Sequence, residues 1–327
     1  MWQYRTYMKI LVTGVAGAIG SHVAEHFARM GHEVVGVDAL TDYYSRALKE
    51  INLVDVVTSG VQVHLCDLAV DDLNHIMKGF DVVFHFAAQP GISAGTSFEN
   101  YVHNNITATH RLLEATHKIP ELKGFVHIST SSIYGSVAYG NETVEVKPTS
   151  NYGVTKLAAE QLALSYHREI GLPVTVLRLF SVYGPRERPE KLYHKLIKSI
   201  LEDKAFTLHE GSEHHVRSYT NVNDIVQACD LVVKNLGVAI GEIFNIGTDK
   251  TITTGEGIRI IECLLGKPAL KVITSRRHGD QTETSANIGK ARRVLGYDPI
   301  VGIEDGLAQQ VAWYKEKING KLPKNEK

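Results

Sequence analysis

A tyrosine and a lysine four residues apart, Tyr152 and Lys156 in Ser150-Asn151-Tyr152-Gly153-Val154-Thr155-Lys156, could carry out proton transfer. Four residues is about one helical turn, so on a helix the phenol and the ammonium share a face and can meet at one reacting group. A free phenol titrates near ~10, and a fixed positive charge beside it favours the phenolate and brings its proton transfer closer to working pH. The same spacing also arises on solvated helices with no catalytic role. What surrounds the pair decides between the two.

The elements that must position it are legible as an alternation. Runs at residues 9–13, 33–37, 61–65, 81–85 and 124–128 are short and nearly continuous in apolar character, as in strands buried on both faces. Between them, stretches at 21–30, 69–78, 101–117 and 152–170 read as helices, and a sixth strand follows at 173–178. This order implies a parallel, doubly wound α/β sheet over residues 8–180. Beyond Val182-Tyr183-Gly184-Pro185 the alternation stops. A basic helix at 191–201, a polar loop at 211–217, a strand at 241–246 and helices at 222–236, 254–265 and 303–319 describe a smaller mixed α/β lobe over 181–327. Some of these later segments are expected to return to the first domain, with a cleft between the two lobes.

Composition narrows the partners. With 35 basic and 36 acidic residues among 327, the net charge is -1, so no overall field favours nucleic acid or an anionic membrane surface. Any anionic ligand must be gripped locally. Cys66, Cys229 and Cys263 lack metal or redox spacing, the 16 histidines show no ligand pattern, and no apolar run approaches the ~20 residues that span a bilayer. A reducing cytoplasm fits this cysteine usage best.

The first strand runs into Gly14-Val15-Ala16-Gly17-Ala18-Ile19-Gly20, which opens a helix. Glycines there let the backbone turn sharply and approach a pyrophosphate, which the free amides of a helix N-terminus stabilise. Asp38 ends the next strand 18 residues after Gly20, where a carboxylate can accept both ribose hydroxyls and would repel a 2′-phosphate. NAD is therefore expected over NADP. Asp67-Leu68 after the third strand could reach the adenine amine, Phe86-Ala87-Ala88 after the fourth lie on the cofactor side, and Asn105 is a further cofactor candidate.

Taken with Ser129-Thr130-Ser131-Ser132-Ile133-Tyr134-Gly135, Arg178-Leu179-Phe180-Ser181-Val182-Tyr183-Gly184-Pro185 and Asn245-Ile246-Gly247, these motifs stand in one order. From Met8 onward the chain resembles the extended short-chain dehydrogenase/reductase family, specifically its NAD-dependent nucleotide-sugar epimerases, dehydratases and decarboxylases. The resemblance implies a Rossmann-type fold and a tightly held NAD that is reduced and reoxidised within one turnover. It implies that Tyr152 takes the proton of the sugar 4-hydroxyl, that Lys156 depresses the tyrosine pKa and holds the nicotinamide ribose, and that Thr130 hydrogen-bonds the 4-oxygen. Arg217 and Arg188 become candidates for the substrate diphosphate, with Arg277 and Asp280 near the nucleotide end. A homodimer joined through a four-helix bundle is the family expectation.

The branch is carried by the residues after Thr130. Dehydratases of the family typically show Thr-Asp-Glu here and decarboxylases Thr-Ser-Glu, whereas this chain has Thr130-Ser131-Ser132. Without those carboxyl groups the expected outcome is simple 4-epimerisation. Asp38 to Ser45 and Phe180 to Glu190 resemble the corresponding stretches of UDP-glucuronate 4-epimerases, in which Ser131, Ser132 and Ser181 would offer neutral donors to the sugar carboxylate. A 4-keto uronate is a β-keto acid that loses CO2 readily, so a site that spares it should hold the carboxylate without aiming acid-base groups at it. The three serines would equally serve a neutral or N-acetylated hexose. A cofactor-binding regulator on the same fold is the reading from another class, and such regulators tend to lose the Tyr-Lys pair. One departure is Gly91-Ile92-Ser93, where UDP-glucuronate 4-epimerases often have Gly-Val-Arg.

Overall fold

A computed structural model describes residues 7–91, 95–136, 138–275 and 283–320. Seven strands form one parallel sheet in the order Ile243–Ile246, β6 (Val174–Leu179), β5 (Gly124–Thr130), β4 (Val82–His85), β1 (Lys9–Thr13), β2 (Glu33–Asp38), β3 (Gln62–Leu65). Every residue of β4, β5 and β6 is buried, while the edge strand β3 is half exposed, so the near-continuous apolar runs are those covered on both faces. The strand at Ile243–Ile246, grouped by its sequence position with the smaller lobe, is the seventh strand of this sheet.

The chain forms two compact units. The first comprises Met1–Thr130, Ser150–Arg178 and Cys229–Ile243; the second comprises Ser131–Thr149, Leu179–Ala228 and Phe244–Lys327. In the first unit α1 (Gly20–Arg29) buries Val23, Ala24 and Phe27, and the Phe27 ring stacks on Phe84 of β4 at 5.3 Å. An aromatic side chain buried this way contributes roughly 1.5–3 kcal/mol. Helix α2 (Arg46–Thr58) has no counterpart in the periodicity because it buries so little: Leu48, Lys49, Asn52 and Val56.

Two expected helices take other forms. Residues 69–78 form separate turns, since Asp67, Asp71 and Asp72 accept the backbone N–H groups of Ala69, Asp67 and Asn74, and these local bonds compete with a helical ladder. The stretch expected as one helix over 101–117 is α3 (Phe98–Tyr101), a π-helical segment (Val102–Thr107) and α4 (Ala108–Thr116). Its widened turn carries Asn105, whose amide donates to Gln89 O at 3.3 Å and Thr155 Oγ1 at 3.0 Å while its oxygen accepts Gln89 N at 2.7 Å. Helix α5 (Asn151–Ile170) begins at Ser150, whose hydroxyl accepts Gly153 N at 3.1 Å, and ends at Gly171 with φ 72°. Among the described residues, no helix is long and apolar enough to cross a membrane and no cluster of His, Cys, Asp or Glu could hold a metal ion.

Candidate active site

The turn from β1 into α1 closes so tightly that side chains are excluded from it. Gly14 has φ 71°, and a Cβ there would lie 2.8 Å from Ala87 N; a Cβ on Gly20 would lie 2.3 Å from Gly14 O. Gly17 N donates to Gly14 O at 3.0 Å, Ala18 and Ile19 complete the turn, and Ile19 precedes the first helical residue. Across the sheet, Phe86 N bonds Thr13 O and Ala87 N bonds Thr13 Oγ1, so Phe86, Ala87 and Ala88 follow β4 directly beside the glycine turn. The result is a concave backbone cradle at a helix N-terminus that suits a pyrophosphate.

Asp38 sits at the end of β2 with its carboxylate fixed, Oδ2 by Ala16 N at 2.9 Å and Oδ1 by Leu40 N at 2.8 Å. Each oxygen keeps further acceptor capacity, which suits a ribose diol. Asp67 is fixed likewise, by Ala69 N at 2.8 Å and by a hydrogen bond with His103 Nε2 at 2.9 Å, and Leu68 beside it is buried. His103, from the π-helical segment, was not foreseen as a neighbour of Asp67; nothing in its spacing pointed there.

Thr130, Tyr152 and Lys156 belong to the same unit. Thr130 is buried at the end of β5, and Tyr152 occupies the first turn of α5, its ring 6.4 Å from that of Tyr101. The first turn of a helix, with its free amides, is a place that favours negative charge such as a phenolate. Lys156 is only 4% exposed and donates to Ile128 O at 2.6 Å. Burial lowers its pKa to about 8, against an opposite pull from Glu160 one turn on. Beneath it, His85 bonds Thr13 at 2.8 Å and Thr109 at 2.9 Å. Burial first and the Lys156 charge second push His85 down to about 3 and His127 well below the usual histidine range. Both rings are therefore neutral at working pH.

The second unit carries the other candidates. Ser131 and Ser132 open a 3₁₀ turn, Ser131–Tyr134, anchored by Tyr134 Oη to Asn245 Oδ1 at 2.7 Å. Ser181 accepts Thr220 N through its carbonyl at 3.1 Å. Arg188 pairs with Glu190 at 2.8 Å, and Arg217 lies on a short strand between Ile252–Thr253 and Glu283–Thr284. Arg277, Asp280 and Ser93 lie outside the described residues. Lys191 is an unforeseen third cation here: burial and then the Arg188 charge lower its pKa, and Arg217 adds to the effect. The signal was its place three residues after Arg188.

Glu187, in the same loop, is buried and accepts His194 N at 3.0 Å and Gln310 Nε2 at 2.8 Å. Desolvation raises its pKa to about 7, with Lys191 the largest opposing charge. A carboxyl raised on folding contributes stability below its unfolded value that is lost as pH climbs through the folded value. The native protein should therefore lose up to about 3 kcal/mol between pH 4.5 and 8 through this group. Glu187→Gln should melt higher than the parent at pH 8 and nearly with it at pH 5. Equal differences at the two pH values would contradict this assignment.

A parallel sheet whose first strand turns through three glycines, with a carboxylate ending the second strand and a Tyr-x-x-x-Lys helix after the fifth, defines a dinucleotide-dependent enzyme of the short-chain dehydrogenase type. The chain belongs to the NAD dependent epimerase/dehydratase family, whose model matches residues 10–247. Its relatives include a UDP-glucuronate 4-epimerase of Thermodesulfobacterium geofontis, 38% identical over 318 residues that cover 94% of this chain and 96% of the relative. They also include YtcB of Bacillus subtilis, an uncharacterized UDP-glucose epimerase, 36% identical over 96% of this chain and 100% of the relative. Among solved structures, the UDP-glucuronic acid 4-epimerase of Bacillus cereus in complex with UDP-glucuronic acid and NAD is similar with a TM-score of 0.89 and 38% identity, over 94% of this chain and 99% of that one.

Proposed function

We propose that the protein is an NAD-dependent 4-epimerase of a UDP-sugar, interconverting UDP-glucuronate and UDP-galacturonate. NAD, when bound, accepts hydride from sugar C4 and returns it to the opposite face of the 4-keto sugar. Tyr152 withdraws the 4-hydroxyl proton and gives it back after the sugar has rotated, while Lys156 supports the phenolate and the nicotinamide ribose. Thr130 holds the 4-oxygen. Gly14, Gly17, Ala18, Ile19 and Gly20 receive the pyrophosphate, Asp38 the ribose diol, and Asp67 with Leu68 the adenine. Ser131, Ser132 and Ser181 donate to the C5 carboxylate; Arg188, Arg217, Arg277 and Asp280 serve the diphosphate and nucleotide.

One observation carries the outcome: Ser131 and Ser132 follow Thr130, so the residues after it offer no carboxyl group to drive elimination or decarboxylation. Several relatives named as UDP-glucuronate 4-epimerases favour the uronate. YtcB, matched over its full length, favours a second reading, epimerisation of UDP-glucose or an N-acetylhexosamine analogue, to which the three hydroxyls are equally suited. We place the enzyme in the cytoplasm, in keeping with the unpaired Cys66, Cys229 and Cys263. We also propose a homodimer through a four-helix bundle, for which Val154 and Ile170 of α5 offer exposed apolar side chains.

The test is to incubate the pure protein with UDP-glucuronate, UDP-glucose and UDP-N-acetylglucosamine in turn, and to identify products by NMR and mass spectrometry. Unchanged mass with an inverted C4 proton coupling on the uronate is the expected outcome. Loss of water or CO2 overturns the reaction, and turnover of the neutral sugars alone overturns the substrate.

A further inference from the structure

Lys156 has a carboxylate one turn along its own helix, yet the two form no ion pair. Glu160, fully buried, accepts Arg178 Nη2 at Oε1 at 2.6 Å, and its Oε2 accepts Arg178 Nε at 3.1 Å and Ser129 Oγ at 2.6 Å. Three donors thus hold it from the side of β5 and β6. Lys156 turns instead to Ile128 O at 2.6 Å. A lysine and a glutamate at this spacing on a helix ordinarily attract each other, the more so away from water. Here the bidentate arginine wins, because a planar fork matches both carboxylate oxygens whereas an ammonium can meet only one point.

We propose that Arg178 is a positioning residue for proton transfer: by engaging both oxygens of Glu160 it withholds that carboxylate from Lys156 and leaves the ammonium's field directed at Tyr152. This rests on the reading of Tyr152 and Lys156 given above. Arg178 and Glu160 form the close pair of the three, and Glu160 acts on Lys156 without a hydrogen bond, an upward pull on its pKa that is smaller than the lowering by burial. The other titratable groups facing it are His85 from β4 and His127 from β5, both neutral through burial. Tyr101, packed on the Tyr152 ring, donates its hydroxyl to Gly91 O at 2.7 Å. No other group on these elements can take over the role of Glu160. Once Arg178 is lost, Glu160 is free to close on Lys156; it would then neutralise the field that favours the phenolate, and the tyrosine would need a higher pH to act as base.

The experiment is the pH profile of kcat/KM with UDP-glucuronate for the NAD-loaded enzyme and its Arg178→Met, Arg178→Lys and Arg178→Met/Glu160→Gln variants. Arg178→Met should move the acid limb up by roughly one pH unit, as expected for a new charge contact. Arg178→Lys, which keeps the charge but grips one oxygen, should move it part of the way in the same direction. It also covers the case in which Arg178→Met, leaving a buried carboxylate unmatched, fails to fold. The double variant removes both charges, so its limb should return to within a few tenths of a unit of the parent. A purely structural ion pair would lower activity or stability without moving the limb. An unmoved limb in the folded single variants, or a shift retained in the double variant, overturns the proposal. If Tyr152→Phe kept full turnover, the underlying reading would fail instead, so the two failures are distinguishable.

Discussion

Tyr152→Phe is expected to lower turnover of UDP-glucuronate by about a thousand-fold while the purified protein keeps its NAD. In the proposed mechanism, removing one hydroxyl deletes the base that takes the 4-hydroxyl proton, and positioned acid-base groups contribute about 10² to 10⁴ in rate. The ring itself is retained, so its packing beside Tyr101, 6.4 Å away, is undisturbed. Asp38, the glycine turn and Lys156 are all still in place, which is why cofactor content should not change. The measurement is a paired one: initial rates by NMR, and NAD released on denaturation and quantified by chromatography. A variant that loses NAD in step with activity would mean that Tyr152 serves binding, and one that keeps more than a tenth of the rate would remove it from the chemistry.

The first unit was legible in the sequence wherever one physical signal dominated. Strands β1, β4, β5 and β6 are covered on both faces, so their apolar runs have no competing reading. The glycine turn was legible because Gly14 and Gly20 sit where a Cβ would meet backbone at 2.8 and 2.3 Å. Helix α2 was not, since two of its four buried residues, Lys49 and Asn52, are polar, and the turns at 69–78 were misread because Asp71 and Asp72 can either start a helix or disrupt one. The environment of the site was the least legible part. Glu160 meets Arg178 and Ser129 only because β5 and β6 lie side by side next to α5, and no local spacing encodes a contact made by three separate segments. The same holds for His103 on Asp67, a contact between the π-helical segment and the turn after β3.

The Lys156 charge that we propose serves catalysis is also a cost to the fold, and Lys156→Met should separate the two. The lysine is 4% exposed and burial lowers its pKa from 10.5 to about 8, so at pH 7 the native protein holds a protonated ammonium in a place that disfavours it. For a group whose folded pKa lies below the unfolded one, the unfolded chain binds more protons between those values, and stability rises with pH across that window. At neutral pH the full cost is present. A methionine fills the volume of the lysine stem without charge, and Glu160 remains neutralised by Arg178. Against this gain stands the loss of the donor to Ile128 O. The net expectation is a stabilisation of roughly 1–3 kcal/mol for the NAD-free protein at pH 7, a few degrees in melting temperature. The gap should narrow toward pH 9.5, where the native lysine has already shed its proton. Turnover should meanwhile fall by about a thousand-fold or more, and NAD retention with it, since the ribose and the phenolate lose the same partner. Differential scanning fluorimetry of the stripped protein at the two pH values, beside the rate and cofactor measurements, reads all three quantities. A melting temperature that falls at pH 7 would show that the ammonium is a structural tie; one that rises while turnover collapses marks a residue whose strain is maintained for the reaction.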